Sequence, residues 1–292
     1  MDKIAIVADS IACLTREMVE QCGIRIVPAI ILFEGKAYRE YLDISPSEAY
    51  GLLEKDPVQF GTSAPSPADY LEAYHELSTR AECILCITLS SNFSMLHDAA
   101  RLAKEEAGEE LPQTTIEVLD SRTAAAAEGF VVLAAARAVA EGKSLAEAIK
   151  AAEWVKERVK LFALMETIRH AYRSGRIPKV AAQVGSVLSV KPIITISDGT
   201  AHFITIARNK ERGVNRVLQL MRQKVREDLV RVAVMHADAL EEAQRLKERV
   251  ASEFNCEELW ISEFSPIMGY TTGRGLIGLA FYPDQGGYDE KG

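Results

Sequence analysis

A chain of 292 residues is long enough for two domains, and its 48% hydrophobic and 26% charged residues belong to a globular rather than a disordered protein. Its 34 basic and 42 acidic side chains give a formal net charge of −8. No basic excess is therefore present to neutralise nucleic-acid phosphates or to dock on an anionic membrane surface.

The opening Met1-Asp2-Lys3-Ile4-Ala5 reads directly into a strand, without the charged and apolar regions of a signal peptide. The longest apolar stretch, Phe130 to Ala140, is interrupted by Arg137 and is too short to cross a bilayer. A cytoplasmic location is expected. Lys3 to Ala8 forms the first strand and closes on Asp9-Ser10, before a helix from Leu14 to Cys22 stopped by Gly23. Ile24 to Phe33 is expected as one further strand, turned back by Glu34-Gly35 towards Lys36 to Tyr41. Ser45-Pro46-Ser47-Glu48 has the pattern of a capping box with proline at the first helical position, and Ser66-Pro67-Ala68-Asp69 repeats it. Glu82 to Leu89 is a continuous apolar strand, as expected for one buried on both faces. A helix from about Ser94 to Ala107 follows, then a strand from Thr115 to Leu119 closing on Asp120-Ser121. Helices at Thr123 to Glu141 and Leu145 to Val159 are separated by Gly142. Strands alternating with single helices predict a mostly parallel sheet with helices on both faces.

After a domain boundary placed near residue 160, the rhythm changes. Strands are expected at Leu161 to Leu164, Pro192 to Ile196, His202 to Ile206, Val230 to Met235, Glu258 to Glu263 and Leu276 to Tyr282. Ser197-Asp198-Gly199 reads as a hairpin turn, so this second sheet is mixed. Long amphipathic helices fit Arg212 to Glu227 and Leu240 to Phe254, and the tail after Pro283 is expected to fray. The predicted architecture is α/β throughout, an N-terminal domain over 1–160 and a C-terminal α/β domain over 161–292.

Three hydroxyl-rich loops, each expected after a strand and before a helix, stand where open α/β sheets gather ligands. They are Gly61-Thr62-Ser63-Ala64-Pro65-Ser66-Pro67, Ser90-Ser91-Asn92-Phe93-Ser94 and Gly269-Tyr270-Thr271-Thr272-Gly273-Arg274-Gly275. Hydroxyls beside a helix start suit a carboxylate, since free backbone N–H groups and a partial positive charge collect there. The same residues also serve as plain helix caps. Arg169, Arg173 and Arg176 cluster around Ser174-Gly175, as a solvated helix end or as a cation presented to a cleft.

Cys83 and Cys86 spell C-x-x-C, but on a strand they point to opposite faces and read as buried structural thiols. The other cysteines are Cys13, Cys22 and Cys256. The histidines His75, His97, His170, His202 and His236 have no metal-ligand spacing, and no Walker or G-x-G-x-x-G pattern is present. No metal and no cofactor are expected. Asp9-Ser10 and Asp120-Ser121 read as caps rather than as parts of a nucleophilic site.

Taken in order, these segments resemble the DegV family of bacterial fatty-acid-binding proteins along essentially the whole chain. Ile6-Val7-Ala8-Asp9-Ser10 is similar to the family's start, and Val27-Pro28 and Tyr38 through Asp43 to its second strand and acidic turn. Thr62-Ser63-Ala64-Pro65-Ser66-Pro67 is similar to its T-S-x-P-S-P signature. Ser90 to Ser94 resembles S-S-x-L-S-G-T, with Met95 and Leu96 in place of Gly-Thr. Asp120-Ser121, Glu128-Gly129, Ser174-Gly175-Arg176-Ile177, Lys191-Pro192-Ile193-Ile194 and Thr272-Gly273-Arg274-Gly275 complete the series.

The resemblance implies one long-chain fatty acid held in a buried tunnel in the cleft between the domains, its carboxylate at Thr62 and Ser94 with Ser63 and Ser91 beside them. It further implies a non-catalytic subunit that presents the acid to a separate ATP-dependent fatty acid kinase for phospholipid synthesis. Arg176 matches the family's arginine near the head group. The family's histidine does not match: Thr271 stands in its place and Arg274 replaces the proline, so Arg274 is the expected source of the missing positive charge. Thr271, Thr272 and Arg274 complete the expected ligand-binding set. Each buried methylene contributes about 0.8 kcal/mol, so a C16 tail offers on the order of 10 kcal/mol before entropy costs. A lipid-responsive regulatory module and a serine-dependent acyl hydrolase or transferase using Ser94 are the alternatives.

Overall fold

In the computed structural model of the chain, residues 3–177, 190–225 and 227–284 are described. The chain divides into two compact units, Met1–Glu157 and Arg158–Gly292.

The first unit carries a four-stranded parallel sheet, in the order β2-β1-β6-β7. Its strands are β1 (Ile4–Asp9), β2 (Arg25–Val27), β6 (Cys83–Thr88) and β7 (Thr115–Asp120). Every residue of β6 is buried, which is why its sequence is apolar without alternation. Cys83 and Cys86 are buried free thiols on it, and burial pushes the Cys86 thiol up to about 12. Helix α1 (Arg16–Cys22) is capped by Thr15 and ended by Gly23 in the left-handed conformation. Helices α2 (Pro46–Lys55) and α3 (Pro67–Ser78) begin with the two capping boxes, on Ser45 and Glu48 and on Ser66 and Asp69. Helix α3 packs on α4 (Leu96–Glu110), and both pack on β6. Helix α5 (Ala125–Ala140) packs on β1 and β6 and is buried around most of its circumference. Helix α6 (Leu145–Arg158) ends the unit.

The segment Ile24 to Phe33, expected as one strand, is two strands in two sheets. Pro28 has no N–H to continue the ladder, and the Ala29 N–H donates to Ser10 Oγ (3.0 Å) instead of to a neighbouring strand. The chain then enters β3 (Ile30–Phe33), centre of a small antiparallel sheet with β4 (Lys36–Arg39) and β5 (Gly61–Ser63). Gly61-Thr62-Ser63, expected as loop, is thus the strand β5, with Thr62 opposite Ile31.

The second unit holds a six-stranded mixed sheet, in the order β10-β9-β8-β13-β11-β12. Its strands are β8 (Lys160–Leu164), β9 (Lys191–Ser197), β10 (Thr200–Ala207), β11 (Val230–His236), β12 (Cys256–Glu263) and β13 (Ile277–Pro283). Strands β9 and β10 form the expected hairpin around Asp198 and Gly199, and among the described residues of this sheet the parallel pair is β11 with β12. Helix α7 (Arg169–Ser174) is short. Helix α8 (Lys210–Val225) packs on β8, β9, β10 and β13, and α9 (Leu240–Glu253) on β11 and β12. Their apolar faces close a core of Phe162, Leu164, Val217, Met221, Leu246 and Phe281. Helix α10 (Pro266–Thr272), started by Ser265 and Pro266, packs against α7. The chain beyond residue 284, where fraying was expected, lies outside the described residues.

Candidate functional site

In the first unit, chemistry gathers where the parallel strands end. Asp9 closes β1, fully buried, with Oδ1 accepting from the Ile11 N–H (2.9 Å) and Oδ2 from the Leu89 N–H (2.8 Å). It thereby ties the end of β1 to the end of β6. Asp120, closing β7, accepts from Ser91 Oγ (2.7 Å) and from the Arg122 N–H (2.7 Å). The Ser91 hydroxyl is therefore spent on fastening its own turn. Ser63, exposed on β5, donates to its neighbour's carbonyl, Ala64 O (3.0 Å).

Thr62 and Ser94 differ. Both are half-buried, and neither hydroxyl has a hydrogen-bond partner among the described residues. Helix α4 was expected to begin at Ser94 but starts at Leu96, and its capping position is Met95, which offers no side-chain acceptor. Met95 is 65% exposed. Ser94 therefore lies just before a fifteen-residue helix whose first N–H groups have no side-chain cap. His97 bonds to Thr88 Oγ1 (3.0 Å) rather than to Ser94.

The third loop reverses the expected arrangement. Gly269 to Thr272 is not a turn before a helix but the end of helix α10, and the turn that follows leads into β13. Ser265 and Pro266 give the helix its start upstream, so Thr271 and Thr272 lie at its C-terminal end. The last carbonyls there are partly satisfied, Gly269 O by the Gly273 N–H (2.7 Å) and Met268 O by Thr272 Oγ1 (3.2 Å). Thr271 is buried, and its hydroxyl has no partner among the described residues. Arg274 pairs through Nε with Asp238 Oδ2 (2.5 Å), so its charge is already met by a carboxylate. Arg176, just past α7, is exposed, and its guanidinium makes no ion pair among the described residues.

Two features escaped the sequence. His170 on α7 packs directly on the Thr272-Gly273 turn: a Cβ at Gly273 would lie 2.5 Å from His170 Cδ2 and 3.0 Å from Nε2. Its spacing in the chain gave no sign of this, because α7 and α10 are about a hundred residues apart.

The second feature is a carboxyl pair in the first unit, Asp9 with Glu128 of α5, both fully buried, and with Tyr70 close enough for its hydroxyl to respond to both charges. As ionised acceptors the Glu128 oxygens have no donor, and the Tyr70 hydroxyl also lacks a partner. Burial first, then the Asp9 charge, raises the Glu128 carboxyl well above its usual range and holds it neutral, as a donor to Asp9. Burial also raises Asp9, to about 6, against the lowering effect of its two backbone N–H donors. Here a signal was available: a lone glutamate inside Ala124 to Val132, on a helix apolar all round, has no solvent face to occupy.

Nearby, a pocket of about 250 Å³ is lined by Asp9, Ser10, Glu40, Cys13, Leu14 and Ile26, among others. None of the eight expected site residues lines it. Ser10 Oγ donates to Glu40 Oε2 there (2.5 Å). Among the described residues no group of three or more His, Cys, Asp or Glu is placed to hold a metal ion, and no helix is long and apolar enough to cross a membrane.

A parallel four-stranded sheet in one unit and a six-stranded mixed sheet in the other define an α/β protein of two units. That architecture recurs in solved fatty-acid-binding proteins. It is similar to a fatty-acid-binding DegV from Bacillus subtilis, with a TM-score of 0.88 and 27% identity, covering 97% of this chain and 100% of that one. A fatty-acid-binding DegV-family protein from Thermus thermophilus matches with a TM-score of 0.87 and 26% identity, over 96% and 99% of the two chains. A stearic-acid-binding protein from Eubacterium ventriosum matches with a TM-score of 0.89 and 26% identity, over 97% and 98%. In sequence, a DegV domain-containing protein of Clostridium acetobutylicum is 29% identical over 284 residues, 97% of this chain and 99% of the relative. The sequence profile of the DegV family, described as an uncharacterised protein family, matches residues 3–284, and the chain belongs to that family.

Proposed function

We propose that the protein binds one long-chain fatty acid, its acyl chain in a buried apolar tunnel and its carboxylate at the hydroxyls of Thr62 and Ser94. The observation that supports this most directly is the end-to-end likeness to three solved proteins described as binding fatty acids, at 26% to 27% identity. Neither hydroxyl has a hydrogen-bond partner among the described residues, and Ser94 adjoins the uncapped start of α4. Neutral donors beside a helix start hold a carboxylate without burying a full counter-charge. Ser63 and Ser91 shape the head-group surroundings rather than bond to it, since their hydroxyls are engaged elsewhere.

The protein itself performs no chemistry in this proposal: it acts in the cytoplasm and presents the acid to an ATP-dependent fatty acid kinase that feeds phospholipid synthesis. A serine-hydrolase role for Ser94 is disfavoured, because the histidine three residues away bonds Thr88.

Native mass spectrometry of the purified protein, followed by solvent extraction, tests the binding. One fatty acid per chain is expected, with occupancy lowered in the Ser94→Ala variant. An empty wild-type protein that also takes up neither added palmitate nor added oleate would overturn the proposal.

A further inference from the structure

We infer that the buried Asp9–Glu128 pair regulates acid binding: with Asp9 ionised the Ser90–Ser94 loop is latched in its binding form, and one further proton on the pair releases it. This rests on the fatty-acid reading above and deepens it by naming how that site is controlled.

The latch lies wholly in the first unit. Asp9 Oδ2 accepts from the N–H of Leu89, the residue before the loop (2.8 Å), and Oδ1 from the N–H of Ile11 in the turn after β1 (2.9 Å). Asp9 therefore joins the ends of two neighbouring strands, β1 and β6, at the point from which Ser94 is carried. The loop itself is tied to the segment that closes and follows β7. There the Ser90 N–H donates to Thr123 O (3.0 Å) and Ser91 Oγ to Asp120 (2.7 Å). Of the two carboxylates that hold this region, Asp9 is the one fully buried.

Glu128 shares that burial, and its oxygens receive no N–H or O–H donor. A carboxyl so placed keeps its proton and donates it to Asp9, so the pair holds one proton at neutral pH and has room for one more. That second proton goes to Asp9. The oxygen that takes it no longer accepts, and the remaining bonds lose the assistance of charge, which makes a hydrogen bond to a carboxylate roughly twice as strong as a neutral one. Burial places Asp9 at about 6.

The groups that face the pair are the Cys86 thiol on β6, the Tyr70 and Tyr74 hydroxyls on α3, and Asp120 at the end of β7. Beside Asp9, Ser10 Oγ meets the buried Glu40. None of these is a cation that would hold Asp9 ionised against acid. Arg25 on β2 is paired with Glu76 (2.7 Å), and the charged side chains of α1, Arg16, Glu17 and Glu20, are exposed.

The test is a carbon NMR titration of the Asp9 carboxyl in the full-length protein, first delipidated and then saturated with palmitate. An acid that needs the latched loop excludes the second proton. By linkage it lowers the Asp9 pKa by as much as that proton weakens binding. Loss of charge assistance in one hydrogen bond makes the expected lowering about one pH unit, the equivalent of about tenfold in Kd. A palmitate carboxylate acting on Asp9 only through its own negative charge would raise the pKa instead. A raised or unchanged value on loading therefore overturns the latch and leaves fatty-acid binding intact. The second measurement is palmitate affinity of Asp9→Asn, which cannot ionise and is expected to bind about tenfold more weakly than wild type at pH 7. Equal affinity also overturns the latch, and the wild-type titration decides the matter without any variant. A wild type that takes up no palmitate at pH 7 removes the fatty-acid reading and this one with it.

Discussion

At Asp9 and Glu128 the first unit keeps two carboxyls out of water without a cation between them. The rise of Asp9 from 3.8 to about 6 corresponds to about 3 kcal/mol. Because the folded pKa is raised, the folded chain holds a proton that the unfolded chain has released between about pH 4 and 6. Stability therefore falls as pH rises through that window, and the cost is complete above it. Glu128 is shifted in the same direction, so it adds to the slope. The Glu128→Gln variant, neutral at every pH and still able to donate to Asp9, is expected to unfold at the same or higher urea concentration at pH 7. Its stability should also depend less on pH between 5 and 7 than that of the wild type. A strongly destabilised variant with an unchanged pH slope would show that Glu128 is ionised and paired. Single residues were unevenly legible. Ser45 and Ser66 could be read as caps because capping is local, whereas the partner of Ser91 is Asp120, a strand away.

Elements were legible where their signals lie within a few residues. The capping boxes, the apolar run of β6 and the Asp198-Gly199 hairpin were all placed from sequence, since each depends on neighbours in the chain. Pro28 and the short strand β5 were not, because sheet membership is decided by which strand lies alongside. The same holds for α10, whose hydroxyls suggested a helix start and stand at a helix end. Helix α5 comes close to the turn after β1 at Gly129, where a Cβ would meet Ala12 O at 2.7 Å and Leu14 Cδ2 at 3.0 Å. The first of these is backbone and cannot rotate away. Gly129→Ala is therefore expected to cost about 1–3 kcal/mol, despite alanine's better helix propensity. Urea unfolding would show it as a lower midpoint at unchanged slope, and a midpoint equal to wild type would mean that α5 shifts freely.

For the whole molecule, a ligand that binds only the folded chain raises stability by RT ln(1 + [L]/Kd), about 2.7 kcal/mol at a hundredfold excess over Kd. Delipidated protein is expected to melt several degrees below protein saturated with palmitate, and coincident melting curves would argue against binding. Composition and alternation by themselves determined an α/β protein in two parts, one sheet parallel and one mixed, because burial and turn chemistry act locally and repeat along the chain. The motif series carried the family resemblance for the same reason. Only the tertiary structure decided which hydroxyls remain free, that Arg274 is already paired with Asp238, that Glu128 is sealed against Asp9, and that His170 rests on Gly273. These depend on contacts between residues far apart in sequence, whose distances are set by packing rather than by spacing along the chain.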